Sequence, residues 1–176
     1  MARGLALALA LTMLAGGAEA ATMRMFSYDP ANGETRHAAG GLTFQFRQQL
    51  VFTTIIAVRS TMGEANAYLQ PVDDKAVGGL SRLIGDNAPE RDLYAVKSDG
   101  EGDALVAALC PGSKHGWMAF GRLRANRPLR VHVIGDGAAG PHLCRTLDFD
   151  FHGEWPMPNS IPVVTDRDVK KPKFPY

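Results

Sequence analysis

Polar side chains suited to acid–base or metal chemistry are concentrated near the C-terminal end of the sequence. Asp148, Asp150 and His152 alternate with apolar residues, so a regular strand places all three on one face. His132 lies in the preceding predicted strand. Carboxylates and imidazoles on neighbouring strands suit general acid–base catalysis or a metal ion. The competing interpretation, which the sequence favours, is a solvated sheet face whose cross-strand charge pairs contribute about 0.2–1 kcal/mol each.

The chain has two cysteines, Cys110 and Cys144, which lie 34 positions apart. Two cysteines allow a single intramolecular disulfide, and the loop it closes would stabilise the fold by about 3.5–4 kcal/mol in the chain-entropy model. A Cys-x-x-Cys spacing, which would indicate thioredoxin-type redox chemistry, is missing. We therefore predict a structural disulfide rather than a redox or metal site.

The histidines carry no recognised metal motif. No two of them have the i, i+4 spacing of a helical zinc motif. His115 and His142 are close in sequence to the two cysteines, so the disulfide would bring their loops together. A two-histidine metal site there is a weaker hypothesis than a chance neighbourhood. Neither a Gly-x-Ser-x-Gly nucleophile motif nor a P-loop occurs, so we predict no cofactor and lean against an enzyme.

The first twenty residues have the organisation of a secretory signal peptide. Arg3 is followed by an apolar run at 5–15, by Gly16 and Gly17, and by small residues at positions 18 and 20. We expect cleavage before Ala21 and a periplasmic or extracellular location, where disulfides persist. The alternative is a membrane anchor, but the run is shorter than the roughly 20 residues that a bilayer requires. We predict no transmembrane segment after signal removal.

The composition of the whole chain is that of an ordinary globular protein. Hydrophobic residues make up 45% of the chain, and 19 basic residues nearly balance 18 acidic ones. Such a balance gives no electrostatic case for a nucleic-acid partner. At this size one hydrophobic core is expected, so we predict a single domain over residues 21–155.

Hydrophobic alternation predicts a β-rich fold. Short helices are expected from Asp73 or Asp74 to about Ile84, and over residues 104–110. Strands and helices do not alternate regularly, which disfavours a doubly wound sheet. We therefore predict an α+β domain, with a mainly antiparallel or mixed sheet of about 6–8 strands and two short helices. The predicted strands are 22–28, 42–47, 50–59, 65–72, 93–97, 116–123, 129–134 and 142–152.

Residues 156–176 form a segment that is rich in proline, unlike the strand-rich sequence before it. It carries Lys170, Lys171 and Lys173 and ends in Phe174-Pro175-Tyr176. An extended segment with aromatic residues suits docking into the groove of a protein or envelope partner, although a frayed terminus is the simpler interpretation.

Function does not follow from any single motif. The absence of a catalytic motif favours an exported, non-catalytic binding or interaction domain. The alternative is a small exported hydrolase or metal-dependent enzyme that uses the face of His132, Asp148, Asp150 and His152. An exposed Trp117 or Trp155 beside an apolar patch would support the binding domain.

Overall fold

The computed structural model describes residues 22–49, 52–62, 65–85, 88–99 and 101–156, and shows one closed antiparallel β-barrel. Each strand pairs with its neighbours in sequence, and the last strand pairs with the first. The predicted signal peptide and residues 157–176 of the proline-rich segment lie outside the described residues. The strands are β1 (Thr22–Pro30), β2 (Leu42–Gln49), β3 (Phe52–Ser60), β4 (Asn66–Pro71), β5 (Asp92–Val96), β6 (Gly116–Phe120), β7 (Leu129–Gly137) and β8 (Gly140–Pro156).

The predicted α+β class is wrong, because helix accounts for only about 15% of the structure and the sheet closes on itself. The helical elements are α1 (Gly33–Ala38), α2 (Gly102–Leu109) and a 3-10 helix at Leu80–Ile84. Within the described ranges, none of them has the length and apolar character needed to cross a bilayer. Alternation located the strands, but it carries no information on whether β1 and β8 meet.

In place of the helix predicted to begin at Asp73 or Asp74, the structure has only the shorter 3-10 helix at Leu80–Ile84, and the cause is local. Gly78 and Gly79 adopt positive φ angles of 80° and 77°, which stop a right-handed helix. The Asp74 carboxylate instead accepts hydrogen bonds from the Ser81 backbone (2.8 Å) and hydroxyl (2.6 Å), and these bonds lower the pKa of Asp74. Sequence reasoning also missed α1, in which the Asn32 side chain caps the backbone N–H of Thr35 at 2.8 Å.

Period-two patterning places aromatic side chains inside the barrel. Phe26 and Tyr28 of β1 face Phe44 and Phe46 of β2, while residues between them point outward. Successive ring contacts with centroid distances of 4.7–6.0 Å link seven rings across the interior. These edge-to-face and stacked pairs add to the hydrophobic gain of burial. From one end of this series to the other, the rings are Phe46, Phe26, Phe151, Tyr28, Phe44, Phe120 and Tyr94.

The described residues of the barrel interior therefore form a packed core. Phe44 and Phe149 have no exposed surface and Phe120 has 1%. A crevice beside Phe120 and Tyr94 has a volume of only about 30 Å³, roughly the volume of one water. Burial raises the pKa of both Tyr28 and Tyr94 to about 12, so both phenols stay protonated.

Polar and helical elements complete the barrel core. Arg24 of β1 pairs with Glu154 of β8 and donates to Gln48 of β2, so three polar side chains from adjacent strands satisfy one another. Between β5 and β6, α2 contributes Leu105 and Leu109 to the same buried cluster as the barrel interior. The sheet thus closes into a barrel, and α2 packs against the core of this barrel.

A second apolar layer covers the outer wall of β5, β6 and β7. Leu80, from the 3-10 helix, packs on the outward-facing Leu93, Ala119 and Ile134, and Trp117 is half-buried beside them. The segment between β4 and β5 therefore shields this side of the barrel. Trp117 belongs to this layer and does not form an exposed patch.

Replacing one central ring tests the packed interior. Phe44→Ala should lower the free energy of unfolding by about 3–5 kcal/mol, because it leaves a cavity between Tyr28 and Phe120. Urea denaturation followed by circular dichroism measures the loss. The control Tyr68→Ala removes a ring that is 53% exposed and should change stability by no more than about 0.5 kcal/mol. Equal losses in the two variants would contradict a filled barrel.

Candidate functional site

The structure places Asp148, Asp150 and His152 on the outer face of β8, where polar contacts with neighbouring strands engage Asp148 and His152. Asp148 lies opposite Arg130 of β7 and accepts from its Nε at 2.7 Å. This contact raises the pKa of Arg130. His152 Nδ1 lies 2.7 Å from Oδ2 of Asp29 on β1. Both pairs are solvent-accessible, so each contributes about 1 kcal/mol or less.

His132 is buried on the outer side of β7, with 6% of its surface exposed. Its Nδ1 lies 3.0 Å from the Thr146 hydroxyl, its cross-strand neighbour on β8. Within the described part of the chain, its Nε2 makes no hydrogen bond, and the Glu90 carboxylate is 3.6 Å away. Sequence reasoning missed Glu90, because only the path of the segment between β4 and β5 brings this loop residue to β7.

The four residues of the predicted Asp/His site therefore do not all line one cavity. Asp148 and Asp150 line an open cavity of about 400 Å³ together with Glu90 and Arg130. Of the described residues that line this cavity, none is a histidine. The carboxylates therefore lie together, while the two imidazoles are held by Thr146 and Asp29.

The predicted disulfide joins Cys110, at the end of α2, to Cys144 of β8, with a Cα–Cα distance of 5.4 Å. A β-bulge in β8 aims Cys144 at the helix. Val133 pairs with Arg145 and Ile134 pairs with Leu143, so Cys144 is the extra residue between two registered pairs. Arg145 donates from Nε to the Leu109 carbonyl at 3.0 Å, which satisfies a carbonyl at the end of α2.

His142 lies against both sulfur atoms. Its Nε2 is 3.6 Å from Sγ of Cys144 and 3.9 Å from Sγ of Cys110. Gly137 lies beside the imidazole, since a Cβ there would come within 3.0–3.1 Å of two ring atoms. Gly135 is required more strictly, because a Cβ at that position would overlap Cys110 Sγ and the Ser113 hydroxyl. The sequence suggested a role for His142 near the cysteines, and the contact is with the sulfurs.

His115, the other histidine of that hypothesis, is engaged by Asp136 of β7. The Asp136 carboxylate accepts from the backbone N–H groups of Lys114 (2.8 Å) and His115 (2.7 Å), and it lies 2.6 Å from His115 Nδ1. Hydrogen bonds from the His115 backbone and ring lower the pKa of Asp136 to about 2. This carboxylate fixes the loop that leads from Cys110 to β6.

The outer face of β1, β2 and β3 carries an open groove of about 440 Å³ that we call the Trp155 groove. Trp155 is 52% exposed and lies next to Met25 in the β1–β8 register. The Ser27 and Thr43 hydroxyls are hydrogen-bonded at 3.0 Å across the groove. Its lining combines apolar Met25, Ala57 and Trp155 with polar Ser27, Thr43, Gln45, Arg59 and Asn66.

Acid titration tests the hydrogen bonds by which the Asp136 carboxylate holds Lys114 and His115, which we call the Asp136 clamp. Its carboxyl pKa is depressed from 3.8 to about 2, so its stabilising effect is complete above pH 4 and disappears as pH falls towards 2. Asp136→Asn should therefore lower Tm at neutral pH, and the difference from the unmodified protein should narrow between pH 4 and pH 2. Differential scanning calorimetry measures both. Exposed Asp150→Asn is the control, and a difference that is constant with pH would contradict the clamp.

Comparisons with protein-family models, with curated proteins and with solved structures give no match for this chain.

Proposed function

We propose that this chain is a small exported binding domain without a catalytic centre, and that a partner protein docks at the Trp155 groove and at the adjoining C-terminal segment. One observation carries the proposal: half-exposed Trp155 lines the groove at the place where β8 ends and residues 157–176 begin. An aromatic side chain exposed beside apolar neighbours is a typical centre of a protein–protein interface.

The barrel architecture favours an outer surface over other ways of binding. In the part of the chain that the structure describes, aromatic rings fill the interior and leave little space for a small ligand. Closure also pairs β1 with β8, which removes the free edges that a partner strand would need for β-augmentation. The Trp155 groove, on the exposed strand faces, is a concave surface with apolar content that a partner side chain can occupy.

Charge and polarity define the chemistry of the expected partner. Met25, Ala57 and the Trp155 ring would surround one apolar side chain, and Gln45 supplies hydrogen-bonding groups. Arg59 is positively charged at the groove, and Lys170, Lys171 and Lys173 follow in the C-terminal segment. We infer that the partner presents an apolar residue flanked by carboxylates.

The enzyme alternative receives less support from the geometry. Its carboxylates line a shared cavity, but Asp148 is paired with Arg130 and His152 with Asp29. A general base must be within hydrogen-bond reach of a substrate proton, and these groups are held by other side chains. We therefore favour binding over hydrolysis.

Export is the second part of the proposal, and its support is the sequence of residues 1–20 together with the Cys110–Cys144 disulfide. Expression of the complete sequence in a bacterial host with a general secretion system should yield a periplasmic protein that begins at Ala21. Intact mass spectrometry of periplasmic and cytoplasmic fractions measures this. Recovery of only the uncleaved chain in the cytoplasm would contradict export.

Selection from a random peptide library displayed on phage tests the groove with a defined probe. The selected peptides should contain an aromatic or long aliphatic residue flanked by Asp or Glu. Trp155→Ala should weaken binding of a selected synthetic peptide by about tenfold to thirtyfold, the typical loss at an aromatic hot spot. A variant that ends at Pro156 should bind more weakly and with less dependence on salt, because it lacks the lysines.

Leu143→Ala is the matched control for this experiment. Leu143 is an exposed apolar residue of the same strand, with 38% of its surface accessible, and it does not line the groove. Its replacement should leave the peptide Kd unchanged. Selection of no peptide above background, or equal effects of Trp155→Ala and Leu143→Ala, would overturn the assignment of the groove.

A further inference from the structure

The cluster of Cys110, Cys144 and His142 places three metal-ligating atoms in one small volume. The two Sγ atoms and a ring nitrogen of His142 all lie within 4.8 Å of one another. Cys110 is buried, Cys144 is half-buried and His142 is exposed, so the cluster opens to solvent on the His142 side. Thiolate sulfur and imidazole nitrogen are the ligands that zinc prefers in proteins.

The spacing of the cluster matches a tetrahedral zinc site on its nitrogen–sulfur edges. With Zn–S of about 2.3 Å and Zn–N of about 2.0–2.1 Å, the tetrahedral angle sets an N···S edge of roughly 3.5–3.6 Å. His142 Nε2 lies 3.6 Å and 3.9 Å from the two sulfurs. The imidazole is therefore already near the position of a third ligand, and only the two sulfurs must separate.

We propose that the protein binds one Zn²⁺ ion through Cys110 Sγ, Cys144 Sγ and His142 Nε2 when the Cys110–Cys144 disulfide is reduced. A water molecule occupies the fourth position, which faces solvent beside His142. Oxidation and zinc binding exclude one another, because the same two sulfur atoms form either the disulfide or the metal bonds. The site is thus controlled by redox state, and it is independent of the Trp155 groove.

The chemistry balances with a dithiol as the reductant. Two electrons and two protons pass to the protein disulfide, its Sγ–Sγ bond breaks, and the dithiol becomes a cyclic disulfide. Zinc then replaces the two thiol protons, which are released to solvent. The two sulfurs separate by rotation about the Cα–Cβ bonds of the two cysteines, whose Cα atoms are 5.4 Å apart.

The surrounding residues suit a site that survives reduction. Arg145 holds the end of α2 on β8 through the Leu109 carbonyl, independently of the sulfur atoms. Asp136 fixes the loop after Cys110 in the same way. The Ser113 hydroxyl lies 3.1 Å from Cys110 Sγ, where it can donate a hydrogen bond to a zinc-bound thiolate.

Cobalt titration of the reduced protein tests the proposal. The protein is reduced with a water-soluble phosphine, desalted without oxygen and titrated with Co²⁺, which reports thiolate ligation and tetrahedral geometry in its absorption spectrum. The reduced chain should bind one Co²⁺, and one Zn²⁺ should displace it. The oxidised chain should give no thiolate spectrum. Zinc should also raise the Tm of the reduced protein and leave the Tm of the oxidised protein unchanged.

Variants at the histidines separate a built site from adventitious thiol binding. His142→Ala should weaken metal binding by at least about tenfold, whereas His142→Cys should retain a 1:1 site with more intense thiolate absorption. His152→Ala removes another exposed histidine of β8 and should leave the affinity unchanged. The proposal is overturned if the reduced chain binds no Co²⁺, or if the unmodified chain and His142→Ala bind it equally. Equal binding overturns the proposal even where its cause is that the chain unfolds on reduction.

Discussion

The contact between Phe26 and Phe151 joins the first and last strands of the sheet, and the rest of the molecule depends on this closure. Their rings meet edge to face at 5.4 Å, and Phe151 also contacts Tyr28. Through these rings β8 is packed into the same core as β1, β2, β5 and β6. Without closure, β1 and β8 would expose unpaired backbone groups, and Trp155 would not lie beside Met25.

Because the barrel interior is filled, the candidate binding sites lie on its outer surface. Among the described residues, the aromatic side chains that stabilise the interior also fill it, and for this reason we propose recognition at the strand faces and connections. On one side the segment between β4 and β5 covers the wall, whereas the Trp155 groove on β1–β3 is open. At the junction of α2 and β8, the bulge at Cys144 brings two sulfurs and His142 together. These two surfaces use different residues and can act independently.

The sequence predicted local features well and long-range ones poorly. Period-two alternation, together with apolar and β-branched composition, located the strands, and the cysteine count predicted the disulfide that the structure contains. The closed barrel was missed because alternation shows which face of a strand is buried, and not which strands meet. Glu90 reaches His132 only through a long loop, and the bulge that aims Cys144 depends on register between β7 and β8. Neither follows from residue types alone.

Amide hydrogen exchange measured by NMR tests the closed, filled barrel most directly. In a closed sheet each N–H group of β1 points to a paired strand, either β2 or β8, so β1 has no free edge. Phe26, Ser27 and Tyr28 should therefore exchange about as slowly as Val131 and Val133 of β7, at rates close to that of global unfolding. Exchange in β1 that is many-fold faster, as at a free sheet edge, would contradict closure and the functional argument that depends on it.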